Sequence, residues 1–236
     1  MEQTAYFTNL QALAGLISLV IAFVICKKLD FSRLASDKTF QHLFFGSAAF
    51  VFVLWMFRTG IYPGLTVHFL WLSALPLLLG FRFAVFSAAI ALLGVTLFQQ
   101  ESFNLFGINF LLGVLIPIAA SYGIYSWVYH KLPRHTFIYV FCCAFIPGGL
   151  AITLKMLALS GYFYMEGLFS WEVIKDKYLA LTLLMVFFEA MFNAMTITLL
   201  IIHKPKWVMT FHEKQYLNSK EVFNSIKTQQ RVFIEK

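Results

Sequence analysis

The chain alternates long apolar blocks with short polar punctuation. The blocks run to about 17–26 residues, enough to cross roughly 30 Å of hydrocarbon as a helix. Seven of them, at about 10–26, 42–58, 64–80, 82–98, 107–129, 137–160 and 178–203, predict an all-α, polytopic membrane bundle of about seven transmembrane helices. The punctuation consists of a basic loop from Lys27 to Gln41, a turn at Gly60 to Gly64, a hairpin at Gly80 to Arg82, and loops beginning at Gln99, His130 and Gly161. The last of these, Gly161 to Lys177, reads as the longest loop. Pro76, Pro117 and Pro147 fall inside blocks, and Pro147-Gly148-Gly149 reads as a strong interruption of its helix. The organisation is a transmembrane domain over 1–205 followed by a basic cytoplasmic tail over 206–236.

Composition sharpens this reading. Of 236 residues 60% are hydrophobic and 12% charged, against about 45–50% and about 25% in soluble domains, which excludes a soluble globule. The 28 Phe, 10 Tyr and 5 Trp suit lipid-facing and interfacial surfaces. Fourteen of the 18 basic residues fall on one face: Lys27, Lys28, Arg33 and Lys38, then Arg82, then Lys131 and Arg134, then seven from Lys204 onward. By the positive-inside rule the N-terminus lies outside and the C-terminus in the cytoplasm. The net charge of +7 is therefore a topology signal, and no nucleic-acid partner is expected. Lys155, about a turn and a half inside its block, reads as snorkelling outward. The first block has Glu2 before it and Lys27-Lys28 after it, the reverse of a secretory signal's charge order, so it reads as a retained helix. Cys26, Cys142 and Cys143 offer neither a disulfide framework nor a metal knuckle.

Polar side chains inside apolar spans normally face the bundle interior, since a central charge costs about 2.5–3.5 kcal/mol or more in lipid. Four stand out. His68 lies a few residues into the third span from the outer side, Asn109 begins the fifth at similar depth, and Glu189 and Asn193 lie one turn apart in the seventh. Thr182, Glu189, Asn193 and Thr196 share one helical face. Asn109, Gly113, Pro117 and Ser121 recur every four residues as a small, polar stripe that admits a close neighbour. Glu189 and Asn193 admit two readings, as groups that only join helices or as a substrate-pocket pair. His68 likewise reads as an interhelical partner or a ligand. Its outer position, the Pro-Gly turn before it, and a free N-terminus on the same face point to a ligand, because a deprotonated terminal amine and an imidazole both bind nickel or cobalt well.

Enzyme motifs are absent: there is no Gly-x-Ser-x-Gly elbow, no His-Glu-x-x-His and no Walker-type loop, so no catalytic residues are assigned. The segment from Lys204 fits either a basic stretch lying on anionic lipid headgroups or an ordinary positive-inside anchor.

Three stretches in order, Gly64-Leu-Thr-Val-His-Phe-Leu70, Gly107-Ile-Asn109 and Glu189-Ala-Met, resemble motifs of the cobalt and nickel uptake permeases (CbiM-like). The segment Lys206 to Lys220 resembles the tail of a poorly characterised branch of that family. The resemblance implies the substrate-capture subunit of an energy-coupling-factor ABC transporter in the bacterial inner membrane, partnered by a coupling transmembrane subunit and ATPase subunits. It implies Ni²⁺ or Co²⁺ as substrate and no covalent cofactor. It also implies a metal site formed by the Met1 amine, the second residue and His68. Metal-binding members begin Met-His, whereas this chain has Glu2, and a carboxylate favours harder ions. The expected function is the membrane substrate-binding component of such a transporter. The alternative is a non-transporting membrane interaction or scaffold protein that keeps the fold.

Overall fold

In the computed structural model, which describes residues 8–212 and Tyr216, most of the apolar blocks become helices, and several of these begin where a side chain caps them. Thr8 Oγ1 accepts from the amide of Gln11 and the Thr8 amide donates to Gln11 Oε1 in return, starting α1 (Asn9–Lys27) with a capping box. Asp30 and Asp37 cap α2 (Phe31–Ser36) and α3 (Lys38–Met56), so the basic loop contains a short helix. After α3 comes a small hairpin, β1 (Thr59–Tyr62) and β2 (Leu65–Val67), turned by Pro63 and by Gly64 at φ +86°. Then follow α4 (Ala74–Leu79), α5 (Phe81–Leu97), α6 (Phe103–Lys131), α7 (Thr136–Met165) and α8 (Trp171–His203).

The chain is a multi-pass membrane protein. Helices α1, α3, α6, α7 and α8 are long and apolar enough to cross a membrane, and α5 is a shorter apolar helix. The third predicted span departs from a helix in an informative way. Residues 64–80 pass through the bundle as β2, an unwound stretch over 68–73, and only then the six-residue α4. Leu70, Leu72, Ser73 and Leu75 in this passage have no exposed surface. Irregular backbone at membrane depth is tolerated where protein surrounds it and satisfies its polar groups, and the other helices enclose this segment as a wall.

The gap between α7 and α8 is shorter than the sequence suggests. Helix α7 runs to Met165, and Ser170 caps α8 by accepting from the amide of Val173, so most of the expected loop from Gly161 to Lys177 is helical. Pro147-Gly148-Gly149 does not interrupt α7 either. A wide π-helical turn at Phe141–Phe145 precedes Pro147 and accommodates its missing N–H, and a similar turn at Asn109–Leu115 precedes Pro117 in α6. Gly148 and Gly149 serve close packing: a Cβ on Gly148 would sit 3.0 Å from Ala190 Cα and 3.1 Å from Glu189 O. Helices α1 and α6 approach similarly at Gly15 and Gly107, where Ser18 Oγ donates to Gly107 O at 3.0 Å.

Bulky side chains such as Leu13, Leu19, Phe23, Leu183 and Ile202 are exposed, as expected of a lipid-facing rim. The first residues of the tail belong to the bundle. Thr210 bonds Leu77 O through both its amide (3.2 Å) and hydroxyl (2.9 Å), Tyr139 OH meets Thr210 Oγ1 at 2.6 Å, and Val208, Phe211 and Tyr216 are buried. The basic residues beyond Tyr216 lie outside the described residues.

Candidate substrate cavity

The unwound stretch is held by the polar face of α8. Glu189, fully buried, accepts from the amides of Leu70 (2.9 Å) and Trp71 (2.6 Å), while its Oε1 also accepts from Asn193 Nδ2 at 2.8 Å. Asn193 Oδ1 accepts from the amide of Ala74 at 2.9 Å, and Trp71 Nε1 donates to Thr196 Oγ1 at 3.2 Å. Two positions one helical turn apart, Glu189 and Asn193, thus answer three amides that an ordinary helix would have paired internally, and Thr196, a turn further on, holds the Trp71 indole. On the other sides Trp55 Nε1 donates to Leu70 O (3.2 Å), and Ser73 and Ser121 share a hydroxyl bond of 2.8 Å. Trp71 itself sits at φ +55°, left-handed geometry that a bulky residue adopts only when its surroundings enforce it.

This scaffold presents His68. Its Nδ1 lies 3.0 Å from Phe69 O; a carbonyl only accepts, so Nδ1 carries the hydrogen and Nε2 keeps a lone pair. That arrangement is the one by which ligating histidines fix their tautomer and orientation. Nε2 points to Lys155 Nζ at 2.7 Å, which donates to it. Both groups line a cavity of about 70 Å³ shared with Trp55, Arg58, Glu101, Asn109 and Gly113. On the measure by which one water needs about 10–15 Å³, that volume holds on the order of five waters.

An ionic cluster lines the same cavity. Arg58 pairs with Glu101 Oε1, its Nε donates to Trp55 O at 2.9 Å, and Asn109 Nδ2 donates to Glu101 Oε2 at 2.8 Å. Among the described residues Arg58 Nη2 is buried without an acceptor. Lys155 is oriented inward to this cavity, unlike the outward snorkelling that its depth suggests: its Nζ is committed to His68 Nε2, and its stem passes Gly113 of α6 in ordinary contact.

The residues singled out in the sequence fall into three groups. His68 and Asn109 meet in the cavity. Glu189 and Asn193 stand behind it and hold the backbone that carries His68. Met1 and Glu2 lie outside the described residues. Arg58, Glu101 and Lys155 were missed: Arg58 and Glu101 lie at or beyond the ends of apolar blocks, where charges are ordinary, and of the three only Lys155, inside its block, carries a usable signal. No three His, Cys, Asp or Glu side chains converge among the described residues.

The sequence profile of a family described as the cobalt uptake substrate-specific transmembrane region (CbiM) matches residues 7–207. Two solved structures share the fold. One, described as a truncated transition metal transporter, is 23% identical with a TM-score of 0.65, over 85% of this chain and 97% of its own. The other, described as a transition metal transporter, is 23% identical with a TM-score of 0.63, over 84% of this chain and 90% of its own. No curated protein matches the sequence.

Proposed function

The chain belongs to the family of cobalt uptake substrate-specific transmembrane regions (CbiM), and on that premise we propose that it is the substrate-capture component of an uptake transporter for a divalent transition metal ion. The family is one of transporter components and not of enzymes, and the metal is cargo rather than a cofactor. In this reading the ion is cobalt or nickel, and the cavity around His68 opens to the outside of the bacterial inner membrane. The Met1 amine and Glu2 complete the coordination that His68 begins. A coupling membrane subunit and ATPase subunits then drive release to the cytoplasm.

The observation that carries the proposal is His68 itself. It is a buried imidazole whose Nδ1–H is committed to a carbonyl, so its Nε2 lone pair faces a small polar cavity on a segment braced by Glu189 and Asn193. Borderline metals favour such an imidazole donor. Titration calorimetry of the purified protein with nickel and cobalt, beside His68→Ala, tests it. We expect binding by the parent protein and at least a tenfold loss in the variant; no binding, or equal binding by both, overturns the reading.

A second reading, a membrane interaction protein that retains the fold, draws on the ammonium of Lys155 occupying the lone pair a metal would take. Equal metal behaviour of the parent and His68→Ala, with capture of a partner other than a coupling subunit or ATPase, is its signature.

A further inference from the structure

The charges around His68 do not suit a bare cation. Among the described residues two positive groups, Arg58 and Lys155, line the cavity with one carboxylate, Glu101, and both oxygens of that carboxylate are already engaged, by Arg58 and by Asn109. The Arg58 side chain is only 7% exposed, yet its Nη2 has no acceptor among the described residues. The one hydrogen bond of Lys155 there is the 2.7 Å donation to His68 Nε2. A bare divalent ion entering would meet two like charges and find its imidazole donor already taken.

We propose that the cavity captures its metal together with a carboxylate, the anion seated on Arg58 and Lys155 and the metal on His68. The proposal rests on the metal-capture reading above and names the chemical form in which the ion binds. A carboxylate is planar, anionic and doubly accepting, which matches a guanidinium N–H and an ammonium together. By giving Lys155 a better acceptor it also draws the ammonium away from Nε2 and opens that lone pair to the metal. The volume of about 70 Å³ limits the anion to a few heavy atoms beside the ion. Two sources share this chemistry, a small carboxylate from solution and the side chain of Glu2.

The experiment measures nickel affinity of the full chain in detergent with nickel chloride alone and with nickel plus glycine, which supplies a short aminocarboxylate. It uses the parent protein, Glu2→Gln, Lys155→Met and Arg58→Lys, the last of which keeps the charge beside Glu101 but removes the planar fork. If the anion comes from solution, glycine tightens nickel binding at least tenfold in the parent protein. If it comes from Glu2, glycine has no effect on the parent, while Glu2→Gln weakens nickel binding about tenfold and glycine restores it. In either case Lys155→Met and Arg58→Lys respond to glycine less than twofold, and Arg58→Lys keeps the inference testable should Lys155→Met fail to fold. Nickel affinity indifferent to glycine in both the parent and Glu2→Gln overturns the carboxylate while leaving metal capture standing. Absence of nickel binding in every arm overturns both.

Discussion

The carboxylate of Glu189 lies 2.6 Å from the backbone nitrogen of Trp71, a contact between the middle of one long helix and the least regular stretch of the chain. It makes the geometry of the cavity depend on a side chain that does not line it. In Glu189→Ala the amides of Leu70 and Trp71 lose their acceptor in a buried setting, at about 1–3 kcal/mol each. We expect a loss of about 3–5 kcal/mol in thermal unfolding, with Glu189→Gln retaining roughly half through its remaining carbonyl. A loss below about 1 kcal/mol in Glu189→Ala would show that the unwound stretch is held by something else.

Among the described residues Glu101 is the one carboxylate lining the cavity, and it neutralises Arg58. Removing one partner of a buried pair leaves an uncompensated charge and costs about 3–5 kcal/mol. Since Glu101 is about a fifth exposed, Glu101→Gln is expected at the low end of that range. Nickel affinity should fall with it, because the cavity becomes more positive; unchanged stability and affinity would remove Glu101 from the site.

Two glycines of α7 should respond oppositely to the same change. In Gly148→Ala the new Cβ meets the backbone of α8 at 3.0 Å, an overpacking worth about 1–3 kcal/mol. Gly161 has open space around it, so Gly161→Ala should be neutral or stabilising by up to about 1 kcal/mol through helix propensity. Parallel melting curves decide this, and equal effects would mean that the close approach of α7 and α8 does not depend on a missing Cβ at Gly148.

Thr210 ties the tail to α4 through Leu77 O and to α7 through Tyr139. In Thr210→Ala two buried hydroxyl contacts go, at about 1 kcal/mol each. Trypsin cleavage after Lys206 should then quicken several-fold while the bundle's melting temperature moves little; unaltered cleavage would mean that the buried aromatics Phe211 and Tyr216 alone hold the segment.

Much of this was legible because lipid imposes simple rules. The apolar blocks marked where the helices run, and the spacing of Glu189, Asn193 and Thr196 marked an inward face, since all three need partners that lipid lacks. The third block was misleading for a physical reason: it is as hydrophobic as its neighbours, but its backbone amides are satisfied by α8 rather than internally, and a sum over side-chain hydropathy does not register where backbone bonds go. Lys155 was misplaced on similar grounds, because depth alone sends a long stem outward. Its inward course against His68 is set by a partner on another element, which depth along its own helix does not register. Arg58 and Glu101 sit at block ends where charges are ordinary, so nothing local separates them from loop residues.

The wide turn at Asn109–Leu115 fixes a phase. In an unbroken α-helix each residue advances about 100°, so Asn109 and Ser121, twelve residues apart, would end roughly 120° out of step. With the wider turn between them, Asn109 reaches Glu101 and Ser121 reaches Ser73, both on the side that faces the unwound stretch. The helix therefore carries one residue more than its length requires, and that surplus sets the angle between its two halves. Deleting a single residue there would leave α6 helical and apolar enough to span, yet rotate its leading end by about 100° and swing Asn109 off the cavity.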